Sequence, residues 1–254
     1  MSEIAIDINA DIGIGHRNQR IENYSRVIKY ATSVNVAAGV NSDPSLIWAV
    51  IKWAKKGEVA VGAHPGFQDN TVFRRTIMNQ RDLKADLIYQ IGIVDGFAKV
   101  EGVKLQHVKP DGLLYTKAQL DDGYAETVVD AVRSYNPELI IITHENSKLA
   151  YRARRAGLRV GAEAYIDIKY DAKGHLILER RKKPQDPNTI AKTALDVVFR
   201  GKITTTTGKE LRLNAKTVCI HSNAPNSPEI IKTVRQTLEK KGVRVTQISN
   251  ILKR

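Results

Sequence analysis

The sequence predicts an α/β fold, a (β/α) barrel of about seven strands with short β-hairpin insertions. Three observations predict it. Short β-branched or apolar runs alternate with amphipathic stretches along the chain. Polar residues recur where the runs end, and no linker or low-complexity tract interrupts the alternation. Strand–helix repetition implies a parallel sheet, either closed or doubly wound. A length of 254 residues suits one barrel, so residues 1–254 are read as a single domain.

The elements follow in order. Ile4–Ile8 reads as a strand and Ile21–Tyr30 as a helix, then Ser33–Ala37 as the next strand. The helix Ser45–Lys56 is well marked: Leu46, Ile47, Val50, Ile51 and Ala54 share one face, with Asp43 as N-cap and Pro44 at the first helical position. Strand Val59–Ala63 precedes a long helix, Asp82–Val100, stopped by Gly102. Strand Leu105–Lys109, helix Asp122–Ser134, strand Leu139–Thr143 and helix Ser147–Ala156 continue the pattern, and Arg159–Ala162 is the sixth strand. Hairpins are expected around Asp171–Gly174 and across Ile203–Leu213, separated by a helix near Thr189–Phe199. Strand Thr217–Ile220, a helix Pro228–Lys241 capped by Ser227, and a last strand Val243–Ile248 complete the chain.

Composition narrows the function classes. Forty Lys and Arg against 27 Asp and Glu give a formal charge of +13, which permits anion or nucleic-acid binding. The basic residues are scattered, many at expected helix ends, and aromatics do not interleave with them, so a solvated surface is expected rather than a nucleic-acid platform. Cys219 is the only cysteine, which rules out an intrachain disulfide and a thiolate metal cluster. The start lacks the pattern of a signal peptide, and no run of roughly 18 apolar residues is present, so no membrane association is expected and the cytoplasm is the expected location.

The informative pattern is positional. Asn9 and Asp11 follow the first strand, Asn35 ends the second, His64 follows the third and Lys109 ends the fourth; His144 and Glu145, then Glu163, then His221 do the same for the rest. Carboxyl ends of parallel strands converge on the active site in such folds, which would gather acid, base, cation and amide groups above the core. Each residue alone could equally cap a backbone or pack in a loop; the recurrence at every strand end is what favours a pocket. Nucleotide motifs fail. The run from Gly201 to Glu210 has the wrong glycine spacing for a phosphate loop, Gly13-Ile14-Gly15 has Asn18 where a third glycine is needed, and no Gly-x-Ser-x-Gly elbow occurs. No cofactor is therefore expected to bind this chain alone.

Taken together, several blocks resemble the LamB/YcsF family: Ile6-Asp7-Ile8-Asn9-Ala10-Asp11-Ile12-Gly13, Gly62-Ala63-His64-Pro65-Gly66-Phe67, Phe73-Arg74-Arg75, Tyr89-Gln90-Ile91-Gly92, His107-Val108-Lys109-Pro110 with Tyr115, and Cys219-Ile220-His221. They occur in the family's order across most of the chain. The resemblance implies a barrel of the glycoside hydrolase/deacetylase type. It also implies action as the A subunit of a 5-oxoprolinase, which opens 5-oxo-L-proline to L-glutamate with ATP engaged through partner B and C subunits; a homo-oligomer is also possible.

The resemblance implies catalytic roles for Asp11 as general base, His64 as its assistant and Lys109 as oxyanion stabiliser. Arg74 or Arg75 would pair with the substrate carboxylate, and Asn9, Asn35, Tyr115, Glu163 and His221 would line the small-molecule site. The chain also departs from the family pattern, at Ile14, Asn41, Asp111, Ile168 and Asn223. In the related deacetylase barrels an aspartate and two histidines hold a divalent ion. Here Asp11 and His64 remain but Asn41 stands where a second histidine is expected, so no metal is expected, with His107 and His221 as the open alternatives. The competing functions are a deacetylase of an acylated sugar or amide, and a binding subunit whose catalysis has weakened.

Overall fold

The computed structural model describes residues 3–12, 21–39, 42–67, 79–177 and 182–252. Seven parallel strands close on themselves: β1 (Ala5–Ile12), β2 (Ser33–Val36), β3 (Ala60–Ala63), β4 (Leu105–Val108), β5 (Ile140–Thr143), β6 (Val160–Tyr165) and, after two hairpins, β11 (Thr217–His221), which pairs with both β6 and β1. The hairpins are β7 (Lys169–Tyr170) with β8 (Leu176–Ile177), and β9 (Lys202–Thr204) with β10 (Glu210–Arg212). Helices pack outside: α1 (Ile21–Ile28), α2 (Pro44–Lys56), α3 (Gln80–Val100), α4 (Gly112–Leu120), α5 (Asp122–Tyr135), α6 (Lys148–Arg155), α7 (Pro187–Leu195) and α8 (Ser227–Lys240). Their buried faces meet the sheet's outer surface, as Ile47, Val50, Ile51 and Ala54 of α2 show. The Asp43 carboxylate accepts from the amides of Ser45 and Leu46, the expected cap. Basic residues fill the last turns of α2, α6 and α8, where they complement the helix dipole.

Four expectations are corrected. The first strand runs to Ile12, so Asn9 and Asp11 lie within it. The end of the chain is not one long strand: only β12 (Arg244–Val245) pairs, with Ala5 and Ile6, and the helix α9 (Ile248–Ile251) follows. The reason is geometric: β12 bonds to the Ile4 and Ile6 carbonyls, on the edge of β1 that β2 takes from the Ile8 carbonyl onward. Helix α4 is an addition to the expected elements; Gly112 at its start takes a φ of +50°, which a glycine tolerates. Ser227 lies inside α8 rather than capping it, and its hydroxyl donates to the Ser222 carbonyl.

Strand β1 shows how the barrel is filled. Ile6, Ile8, Ala10 and Ile12 belong to the apolar layer beneath the helices, while Asp7, Asn9 and Asp11 bond to residues across the barrel interior. Pairing sets the levels: Asp7 aligns with Thr217 and through it with Glu163, whereas Asp11 aligns with His221, Asn35 and, across β3, Gly62 and His107. Gly62 is required at its place, since a Cβ there would lie 2.1 Å from the His107 ring. Barrels of this kind usually fill their interior with branched apolar side chains. This one carries a hydrogen-bonded polar column, floored near the amino ends by Ile140, Ile142 and Ile248 around Gly161.

Candidate active site

The column begins at Asp7. Its carboxylate accepts hydroxyl hydrogens from Thr32 (2.6 Å), Ser33 (2.8 Å) and Thr217 (2.5 Å). Burial outweighs those bonds and pushes the carboxyl up to about 6. One level higher, the Asn9 amide donates to Thr217 Oγ1 (2.7 Å) and Glu163 Oε1 (2.9 Å), and its carbonyl accepts from Asn35 (2.7 Å). The Asn35 carbonyl accepts from His107 Nε2 at 2.8 Å, which fixes the proton on that nitrogen. Burial, with the Lys109 charge, lowers the pKa of His107 to about 3, so it is a neutral structural histidine.

Lys109 stands at the centre of the column with no exposed surface. Its ammonium reaches Glu163 Oε1 (2.7 Å), Asp11 Oδ1 (2.9 Å) and Cys219 Sγ (3.1 Å), and lies 4.7 Å from the centroid of the Tyr165 ring. Burial alone would favour the neutral amine, but the Asp11 carboxylate, with that of Glu163, reverses that and holds its pKa well above the usual lysine value. Asp11 responds in kind: burial raises it, but the Lys109 charge, followed by His64 and His221, holds the carboxyl well below the carboxylate range. Two expected roles change as a result. Every hydrogen of the Lys109 ammonium faces a partner inside the column, so it does not reach out to an oxyanion. Asp11, kept ionised by a contact cation, is a weak base.

The mouth of the barrel lies above Asp11 Oδ2. His221 Nε2 is 3.4 Å from that oxygen, and His64 Nε2 and Cys219 Sγ are each 3.7 Å from it. His64 Nδ1 donates to the Lys109 carbonyl (2.7 Å), leaving the buried Nε2 without a hydrogen bond and 3.3 Å from Asp111. Burial lowers the pKa of His64, yet the Asp11 and Asp111 carboxylates raise it above the ordinary histidine value. His221 is held from behind: Asp167 meets its Nδ1 at 2.9 Å and accepts its backbone N–H at 3.0 Å. Asp167 also takes the Lys182 ammonium at 2.9 Å. Burial raises Asp167, but His221 and Lys182 bring it well below the carboxylate range. Tyr165 stacks on His221 (5.3 Å, 21°) and Tyr115 meets Tyr165 edge-on. The Tyr115 hydroxyl and Glu163 Oε2 are also buried without hydrogen bonds. Unpartnered buried polar atoms of this kind are the mark of a site that completes itself with a ligand.

The fold therefore brings Asn9, Asp11, Asn35, His64, Lys109, Tyr115, Glu163 and His221 into one cluster at the carboxyl ends of the strands. Arg74 and Arg75, with the departures at Ile14 and Asn41, lie outside the described residues. Asp167, Cys219, Tyr165, Asp111 and Lys182 were missed. A signal existed for several of them: every second residue along Asp7-Asn9-Asp11, Glu163-Tyr165-Asp167 and Thr217-Cys219-His221 faces inward. Lys182 carried no such signal.

The arrangement suits proton transfer more than covalent catalysis. Two imidazoles flank one carboxylate oxygen, and a fixed cation lies beneath. Burial pushes the Cys219 thiol up, well above its ordinary value, so it is no thiolate nucleophile, and the charged Lys109 is no Schiff-base former. Asp11, Cys219 and His221 could each offer an atom to a metal. The donor set does not fit a divalent ion while the Lys109 ammonium lies against two of those residues. Among the described residues, no helix is long and apolar enough to cross a membrane.

Residues 6–253 match the LamB/YcsF family. The chain is 32% identical to a protein from Clostridium beijerinckii named as the A subunit of 5-oxoprolinase, over 97% of this chain and 98% of that one. It is 36% identical to the crystal structure of a lactam utilization protein from Thermus thermophilus, with a TM-score of 0.82 over 95% and 99% of the two chains. A deacetylase called T48, 11% identical, shares the barrel alone, with a TM-score of 0.51 over 98% and 91% of the chains. The chain belongs to the LamB/YcsF family.

Proposed function

We propose that this member of the LamB/YcsF family is the A subunit of a 5-oxoprolinase. In this reading it hydrolyses 5-oxo-L-proline, or a related lactam, to L-glutamate together with B and C subunits. The observation that carries the reading is the placing of His64 and His221 at 3.7 and 3.4 Å from one oxygen of Asp11, in a chain whose relatives bear that name. An unstrained lactam is a resonance-stabilised amide, and ATP, engaged through the partners, supplies the activation and the driving force.

The chain's own residues then divide the remaining work. The Asp11 carboxylate, kept ionised by Lys109, holds the two imidazoles on the mouth side of the column. His64, whose pKa the carboxylates raise, is suited to give a proton to the departing ring nitrogen. His221, braced by Asp167, is the partner that takes a proton from attacking water. Tyr115 and Glu163 offer an unpaired hydroxyl and an unpaired carboxylate oxygen for orienting the lactam. Arg74 and Arg75 remain the candidates for the substrate carboxylate on their sequence position.

The test is glutamate release from 5-oxoproline with ATP, with and without the B and C subunits of the same source. Turnover that needs all three subunits is expected, falling by about 10²–10⁴-fold in His64→Ala. Saturable 5-oxoproline binding without turnover by the full complex would instead identify a weakened binding subunit.

A further inference from the structure

One feature of the column lies outside the proton chemistry. Asp11, Cys219 and His221 each present a ligand atom, all within 4.8 Å of one another. From Asp11 Oδ2, His221 Nε2 is at 3.4 Å and Cys219 Sγ at 3.7 Å. Zinc bonds of about 2.0–2.1 Å to oxygen and nitrogen and about 2.3 Å to sulfur give tetrahedral edges of roughly 3.3–3.7 Å, which the two distances from Asp11 match. The imidazole is backed by a carboxylate, Asp167, as metal-bound histidines are. A second imidazole nitrogen, Nε2 of the 2%-exposed His64, lies 3.7 Å from the same oxygen and 3.3 Å from Asp111.

What the cluster lacks is freedom from a cation already present. The Lys109 ammonium lies 2.9 Å from Asp11 Oδ1 and 3.1 Å from the very sulfur that would bind. Like charges at that range repel strongly in a buried site, and an ammonium cannot move away from Glu163 without leaving that carboxylate unpaired.

We propose that Asp11, Cys219 and His221 form a latent zinc site, and that Lys109 is the built-in cation that neutralises it in place of a divalent ion. The proposal goes beyond the 5-oxoprolinase reading, and its readouts need no turnover. Removing the charge but keeping the side chain's bulk should open the site. Full-length parent, Lys109→Met, Lys109→Arg and Lys109→Met/Cys219→Ser chains are dialysed with zinc and then against metal-free buffer. Metal content is measured by elemental analysis, melting with and without zinc, and thiolate coordination by the absorption of the cobalt-loaded protein.

Lys109→Met is expected to keep about one zinc per chain and to show a thiolate–cobalt band. Its melting midpoint is expected to rise by roughly 5–10 °C at zinc about 100-fold above Kd. The parent and Lys109→Arg are expected to stay metal-free, and the added Cys219→Ser to abolish the band. The proposal is overturned if the parent or Lys109→Arg retains stoichiometric zinc with a thiolate band, or if folded Lys109→Met takes up none. A Lys109→Met chain that zinc cannot restore to a cooperative melt also overturns it, since zinc must then fail to replace the lost cation.

Discussion

Replacing Asp11 with Asn tests whether the buried ion pair holds the column together. The substitution keeps size and one carbonyl oxygen but removes the anion facing Lys109 at 2.9 Å. Breaking a buried pair by deleting one partner costs about 3–5 kcal/mol, because the other charge is left buried. Lys109 retains Glu163 at 2.7 Å, which places the cost near the low end, about 3 kcal/mol. For a domain of this size that lowers Tm by roughly 6–12 °C. The sign with pH follows from the depressed carboxyl: its contribution is full above the unfolded value and is lost as pH falls through the folded one, so parent and variant converge only in strong acid. The assay is thermal melting at pH 7 of parent, Asp11→Asn, Lys109→Met and the double variant. The two losses should overlap rather than add, leaving a coupling of about 2 kcal/mol. A midpoint for Asp11→Asn within 2 °C (roughly 0.5–1 kcal/mol) of the parent, or fully additive losses, would refute the reasoning.

Asp7 gives the opposite pH dependence. Its carboxyl is raised from 3.8 to about 6, so its contribution to stability is full below the unfolded value and is lost as pH rises through about 6. The span is about 3 kcal/mol, and the stability difference between parent and Asp7→Asn should shift by that order between pH 4 and 8; a constant difference would count against it. Gly62→Ala would set a methyl 2.1 Å from a His107 ring that is tied to Asn35, so a loss of about 3 kcal/mol or insoluble expression is expected, and a parent-like melt would show that the ring can yield. Asp167→Asn removes the brace on His221; partner-dependent kcat should fall by roughly 10²-fold or more with KM little changed, alongside altered His221 ring-nitrogen shifts by NMR. Asp43→Ala removes the α2 cap and should lower the melting midpoint by roughly 2–4 °C.

Much of this molecule was legible in the chain. Alternating strand and helix patterns pointed to the barrel strands, both hairpins and most helices, since hydrophobic period reports which face is buried. The residues at strand ends led to His64, Lys109 and His221 because parallel topology sends those ends to one rim. The last segment and α4 were less readable. Val243–Ile248 has a strand's composition, but β2 occupies that edge of β1 from the Ile8 carbonyl onward, so only Ala5 and Ile6 are left to pair. The start of α4 is set by a glycine at positive φ behind a proline, a turn signal that conceals a helix.

Fold class, family and the set of strands that carry the site needed nothing beyond the order of residues. They rest on local periodicity and on ordered short blocks, which need no long-range contact to be read. The chemistry had to wait for the folded chain. Asn9 meets Glu163 and Thr217 from 154 and 208 residues away, and Lys109 meets Cys219 across 110. Charge state in a buried column depends on which groups stand within about 3–4 Å of one another, because Coulomb energy and desolvation both act at that range. The family resemblance implied a general-base Asp11 and an oxyanion-stabilising Lys109. Closure of the barrel made Asp11 the fixed anion, Lys109 its buried partner and the two histidines the groups left facing the mouth.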